Sequence, residues 1–251
     1  MTHVDDLGVV YAGPRPARRV VSLVPSLTET LASANPDGLV GATTWCTHPA
    51  NLGIVRVRGT KNPDLKAIRA LDPDVLVANR EENRELDVRR LRESGVDVWV
   101  TDIRSVDDAV ASIRRLLDGL GWDEPAWISE AEQALTPLPA SARCRVAVPI
   151  WRDPWMVVGP GMFSSDMLDR LGYDNVFDDG TDRYPHADVA AIQSRNPDVV
   201  LLPDEPYVFT AEDGPEAFSA PTSLISGRLL TWYGPSMLDA ARDLSPATLG
   251  I

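Results

Sequence analysis

Short runs of apolar residues, each followed by a stretch with helical spacing, alternate along the chain. VVSLV at 20–24, LVGAT at 39–43, VLVA at 75–78 and VDVWV at 96–100 predict strands buried on both faces. Between them, SLTE at 26–29 reads as a capping box opening a helix to about residue 34, and Asn62 or Asp64 caps a helix over 65–71. Residues 80–92 form a charged surface helix with Leu86, Val88 and Leu91 on its apolar face, ended by Gly95. The later half repeats the rhythm. Strands are predicted at 145–151, 156–158, 199–202, 224–225 and 229–232, with helices at 163–171, capped by Ser164 or Ser165, and from Pro235 to about 244. Residues 204–221 form a long polar loop carrying Tyr207 and Phe209. Between the halves lies a helical stretch. Val106, Ala109, Val110, Ile113, Leu116 and Leu117 share one side, Gly119 and Gly121 break the helix, and Asp123 and Pro125 restart it until Pro137 and Pro139 end it.

One phrase occurs twice. LKAIRALDPDVLVAN at 65–79 returns as VAAIQSRNPDVVLLP at 189–203, so that Ile68 matches Ile192 and Pro73 matches Pro197, 124 positions apart. RVVSLV at 19–24 returns as RVAVPI at 145–150, offset by 126. Two phrases in the same order at nearly one offset predict two similar lobes. The expected division is 1–104 for the first αβ lobe, 105–140 for a helical connector and 141–251 for the second αβ lobe.

Charge removes one class of partner. A net charge of −13 repels phosphate backbones, so nucleic acid is not expected to bind. No apolar run approaches the ~20 residues of a membrane helix. The first residues, MTHVDDLGVVYAG, lack a basic-then-apolar leader and a lipid-anchor cysteine. The expectation is a cytoplasmic protein as encoded; the alternative is an extracytoplasmic one whose leader was removed before residue 1. Cys46 and Cys144 form no CxxC pair, and their spacing assigns no disulfide.

Enzyme signatures are absent: no GxSxG, HExxH, GxGxxG or GxxxxGK[ST] occurs. The expectation is a protein that is not an enzyme. Gly159-Pro-Gly161 is a turn whose proline removes an amide that a phosphate cradle needs. The aromatics say more. There are seven tryptophans against four phenylalanines, and Trp45, Trp151, Trp155 and Trp232 fall at or just past predicted strand ends. Open α/β sheets bind ligands there, and indole rings offer flat apolar faces. Trp99 alternates with valines and is expected in the core, while Trp122 and Trp127 pack the connector. His48 and His186 lie in corresponding loops of the two halves, and with Cys46 they have side chains suited to a soft or borderline metal.

RVVSLVPSLTETL, NPDLKAIRALDPDVLVA, WRDPWMVVG, RYPH and GRLLTWYGP together resemble the class III solute-binding proteins, the helical-backbone receptors for cobalamin, haem and iron–siderophore complexes that serve ABC importers. The resemblance spans about residues 18–245 and is nearest to the cobalamin-binding branch. It implies an α/β protein: two Rossmann-like αβα lobes joined by a single connecting helix, with the ligand in a cleft between them. It maps ligand contacts onto Trp45, Cys46 and His48, Lys61 and Asn62, Arg80, Trp151, Arg152 and Trp155, Tyr184 and His186, and Trp232 and Tyr233. His48 and His186 stand where aromatic residues pack against the corrin, and either histidine could ligate cobalt or haem iron.

The implied function is non-enzymatic capture of a cobalamin-like corrinoid, haem or ferric siderophore by a monomer that requires no cofactor. An ABC permease is the implied partner. The family's second docking glutamate falls near Ile192, which cannot form a salt bridge, although Asp188 is close. Two alternatives stay open: an enzyme or chaperone of cobalamin or metal metabolism on the same fold, or direct binding of a transition metal through Cys46, His48 and His186.

Overall fold

A computed structural model describes residues 2–138 and 143–251. Pro139, expected to end the connector, lies outside the described residues. The chain forms two compact units. The first takes the chain up to Ile103, then Asp107–Ile128 and Tyr233–Pro235; the second takes Arg104–Val106, Ser129–Trp232 and Ser236–Ile251. The stretch 105–140 is therefore shared between the units, and three residues near the C-terminus join the first.

The first unit is built on five parallel strands lying side by side as Val55–Arg56, Leu39–Ala42, Val20–Ser22, Val75–Asn79 and Val98–Thr101. Numbered along the chain, their order is 3-2-1-4-5, the doubly wound arrangement. Every residue of Val75–Asn79 is buried, as expected where helices cover both faces of a sheet. Val21, Leu23, Ile68, Leu76, Val88 and Leu91 are among the residues of one core cluster here. The second unit holds four parallel strands in the order Tyr173–Asn175, Cys144–Ala147, Val199–Pro203 and Thr222–Ile225, or 2-1-3-4 along the chain. Its core gathers Ala147, Val157, Ile192, Val200, Leu202 and Phe209, among others.

The duplicated phrase is wired alike in both units. Asp64 caps the helix Leu65–Ala70 by accepting from the amides of Lys66 and Ala67, and Asp188, 124 positions on, caps Val189–Ser194 by accepting from Ala191. Ile68 and Ile192 are both fully buried. Asp72 and Asn196 take the left-handed conformation, at φ 45° and 50°, that stops each helix before its proline. The Asp74 carboxylate then accepts from the amides of Arg18 and Arg19, and Asp198 accepts from the amide of Arg145. The side chains of Arg19 and Arg145 in turn donate to carbonyls just past the ends of those helices, Leu71 in one and Arg195 and Asn196 in the other.

Gly95 and Gly121 end two helices as expected, whereas Gly119, expected to break the second, lies inside it, where a methyl would strike the Trp99 ring. Gly95 (φ +88°) and Gly121 (φ +70°) follow Glu85–Glu93 and Val106–Leu120, and the amides of Val96 and Trp122 reach back to Leu91 and Leu117. Other expectations are corrected. Pro25, not the SLTE box, opens the helix Pro25–Ala34, because its fixed φ suits the first helical position. Met162 caps Phe163–Arg170 without a side-chain bond, and Ser165 donates instead to Asp178. Residues 229–232, read as a strand, instead belong to the short helix Gly227–Thr231 and its C-cap Trp232. A hairpin that the sequence did not announce, His3–Val4 with Val10–Tyr11, lies along the edge strand Val98–Thr101. There the buried Asp5 carboxylate accepts from the amides of Leu7, Val9 and Val100 and pairs with Arg92. The hairpin covers backbone groups that an open edge would expose.

Candidate functional site

In the first unit the strand-order switch lies between Val20–Ser22 and Val75–Asn79, and the loops after the strands gather at their carboxyl ends. Leaving Leu39–Ala42, the chain turns through Thr43–Cys46 with Trp45 at the apex, 65% exposed. Arg56 pins this turn by donating to the carbonyls of Thr43 (3.1 Å) and Cys46 (2.9 Å). The hairpin Arg58–Gly59 with Asn62–Pro63 lies beside Trp45. A methyl on Gly59 would sit 3.4 Å from the Trp45 Nε1 and would collide with the Asn62 carboxamide. Lys61 Nζ donates to the carbonyl of Glu81 (2.7 Å), and buried Asn83 donates to that of Thr60 (3.1 Å). Arg80 pairs with Asp102 at 2.8 Å. Tyr233, buried, donates to Glu82 at 2.7 Å; burial first, and the neighbouring Glu82 carboxylate second, push its phenol well up. Trp45, Lys61, Asn62 and Arg80 are thus joined through one set of loops, while Tyr233, buried against them and bonded to Glu82, packs the scaffold, which corrects its assignment as a ligand contact.

Cys46 belongs to that turn but not to its surface. Its side chain is fully buried, within hydrogen-bond distance of the hydroxyls of Thr28 (3.0 Å) and Thr43 (3.1 Å), and burial raises the thiol pKa. A sulfur in that position packs the scaffold and cannot touch a ligand, which corrects its assignment as a contact. His48 is exposed, with Nδ1 3.1 Å from the Thr47 hydroxyl. Among the described residues no group of three or more His, Cys, Asp or Glu could hold a metal ion. Direct metal binding through Cys46, His48 and His186 is accordingly not favoured.

In the second unit the switch lies between Cys144–Ala147 and Val199–Pro203. The first strand leads into an antiparallel hairpin of Pro149–Trp151 with Met156–Val157. The segment 185–187 runs beside the hairpin through a bridge between Met156 and His186, placing exposed His186 and half-buried Tyr184 there. Gly159 is required at its place, since any side chain would strike the carbonyls of Asp182 and Arg183. Trp151 is 44% exposed and packs its edge against Tyr207 at 5.8 Å. Trp155 is half-buried. It lies parallel to Phe209 at 5.9 Å, meets Phe218 edge-on at 5.3 Å, and has the Arg152 guanidinium 5.3 Å from its ring centre. Arg152 is bound to Asp213 and Glu216, and Tyr207 donates to Asp213 at 2.6 Å. Trp155 and Arg152, expected as ligand contacts, therefore spend much of their surface and charge holding the loop after Val199–Pro203 in place.

Trp232 is corrected as well. It is 8% exposed, with the Arg228 guanidinium 5.8 Å from its ring, and it hydrogen-bonds the Glu205 carboxyl. Trp99 is buried, as its alternation predicts, and Trp122 and Trp127 donate to Ala17 and Ser33. Sequence reasoning missed Arg56, Asn83, Asp213 and Glu216, polar residues that position the loops; only the alternation of IVRVRG hinted at Arg56. Ile192 is core, and Asp188 is an exposed helix cap.

No protein-family model matches the chain. It is 23% identical over 249 residues to the vitamin B12-binding protein of Pectobacterium atrosepticum, spanning 93% of this chain and 88% of that one. Its structure is similar to the periplasmic vitamin B12 binding protein of Vibrio cholerae, with a TM-score of 0.73 at 19% identity, covering 94% and 98% of the two chains. It is also similar to a periplasmic heme binding protein from Pseudomonas aeruginosa, with a TM-score of 0.78 at 21% identity, covering 93% of each chain. On these likenesses the chain has the fold of the class III, helical-backbone solute-binding proteins, which its motifs also resemble.

Proposed function

We propose that this chain is a solute-binding protein of the ABC-importer type that captures a cobalamin-like corrinoid or another metal chelate, haem or a ferric siderophore among them. One observation carries the reading: each unit presents an exposed indole, Trp45 or Trp151, at the carboxyl end of its parallel sheet. Such rings can cover the face of a flat macrocycle. Lys61, Asn62 and Arg80 in one unit, and Tyr184 and His186 in the other, supply polar groups that set orientation. His48 and His186 are exposed imidazoles suited to reach a chelate's rim or its metal. The names of the similar proteins support the ligand class, and the periplasmic setting in those structure titles supports an extracytoplasmic site of action beside a permease.

Titration with cyanocobalamin, haemin and a ferric siderophore, followed by tryptophan fluorescence, tests the reading. At least one should quench with a Kd below ~100 µM, and Trp45→Ala and Trp151→Ala should each weaken it about tenfold, or ~1.4 kcal/mol. Absence of quenching by all three would sink the proposal.

A further inference from the structure

The N-terminal hairpin does more than cover the edge of the first sheet. Between it and the chain leading into Val98–Thr101 lies a cavity of about 160 Å³, walled by Val9, Val10 and Tyr11 on one side and Val96, Val98 and Trp99 on the other. The cavity stands at the amino end of the edge strand, whereas Trp45 lies past a carboxyl end of the same sheet, so it is separate from the loops described above. A cavity of this size admits a benzene-sized molecule. Val9 and Val10, 38% and 55% exposed, open it to solvent.

Two residues of the wall carry donors with no acceptor. Trp99 is 1% exposed, and its indole Nε1 has no hydrogen-bond partner among the described residues. The buried Nε of Arg92, which also borders the cavity, has none either. Arg92 Nη2, by contrast, is committed to the Asp5 carboxylate (3.1 Å) and the Val98 carbonyl (2.9 Å). Buried donors are costly to leave unpaired, so an acceptor delivered here gains more than one left in water. Asp5 offsets the charge of Arg92, and Asp97 adds a second carboxylate to the wall, which disfavours an anion. Burial, then the carboxylates of Asp74 and Asp97, push the Tyr11 phenol up to about 12, and its hydroxyl donates to the Pro14 carbonyl (3.0 Å), so Tyr11 contributes a neutral ring.

We propose that this cavity is a second ligand site, distinct from the strand-end loops, for a neutral ring-sized molecule that carries a hydrogen-bond acceptor. The apolar walls take the ring, and the donors of Trp99 and Arg92 take the acceptor.

Nuclear magnetic resonance of the ¹⁵N-labelled chain tests it with benzamide (neutral, with an acceptor), toluene (no acceptor) and benzoate (an anion). Trp99→Phe identifies the Trp99 indole N–H signal by its loss. In the unaltered protein, benzamide should move that signal and the Val96 amide saturably, with a Kd of about 1 mM or tighter. Toluene and benzoate should each bind at least about fivefold more weakly, and Trp99→Phe should cost benzamide about fivefold, read at the Val96 amide. Val10→Trp, at an exposed position on the cavity's open side, should block entry and abolish the shifts while the rest of the spectrum stays folded. No shift at about 10 mM benzamide, equal affinity for toluene, or shifts confined to Trp45 and Trp151 would each overturn the proposal. So would benzamide shifts that survive Val10→Trp.

Discussion

Glu205 shows what a single residue reveals once its neighbours are known. It follows the strand Val199–Pro203, and its carboxyl hydrogen-bonds Trp232 and Thr231 while Oε1 is buried without a partner. Burial, and then the neighbouring Asp204 carboxylate, raise its pKa against the opposing pull of those hydrogen bonds and Arg228. A raised carboxyl pKa means the folded chain holds this proton more tightly than the unfolded one. The contribution to stability is full below the ordinary carboxylate value of about 4.3 and is lost as pH rises through the folded value. Glu205→Gln should therefore raise Tm at pH 7 and lose that advantage near pH 4; melting curves at both pH values check it, and an equal gain at both would refute the assignment. Cys46 teaches the complementary lesson. Its neighbours in the sequence, Trp45 and His48, are exposed, yet its own side chain is turned inward onto Thr28 and Thr43.

At the scale of elements, the repeat is the most legible feature. Asp64 and Asp188, Asp74 and Asp198, and Arg19 and Arg145 do the same work in the two units, because a helix–turn–strand phrase needs a cap, a stop and an anchor for its strand. Asp188→Ala removes the acceptor for the Ala191 amide and should cost ~1 kcal/mol, a fall in Tm of about 2–4 °C for a chain of this size, with Asp188→Asn retaining most of the stability. Differential scanning calorimetry decides it, and an unchanged Tm for the alanine variant would show that the cap contributes nothing. Short apolar runs were less legible. LLTW at 229–232 satisfies a strand pattern, but Asp204 accepts from the Gly227 amide and starts a helix there, with Trp232 closing its end.

At the scale of the molecule, both sheets are parallel and each has one point where the strand order reverses. This puts the loop bearing Trp45 and the hairpin bearing Trp151 at carboxyl ends, where open α/β sheets take their ligands. A ligand bound by the folded chain alone adds RT ln(1 + [L]/Kd) to its stability. Cyanocobalamin at a hundredfold its Kd should therefore contribute ~2.7 kcal/mol and raise Tm by several degrees. A Tm insensitive to saturating ligand would contradict binding to the native state.

The amino-acid sequence by itself determined the alternation of strand and helix, the duplicated phrase with a cap at the start of its first copy, the buried strands and the glycine helix ends at Gly95 and Gly121, since these follow from periodicity and local backbone preference. It also placed Trp45 just past the end of one predicted strand and Trp151 at the end of another. Only the tertiary structure decided the strand orders, the hairpin along Val98–Thr101, the burial of Cys46 and Trp232, and the engagement of Arg152 by Asp213 and Glu216. Each of these joins residues distant in the chain or depends on which way a side chain turns within its loop. Neither leaves a local pattern, because packing and charge pairing act on neighbours in space.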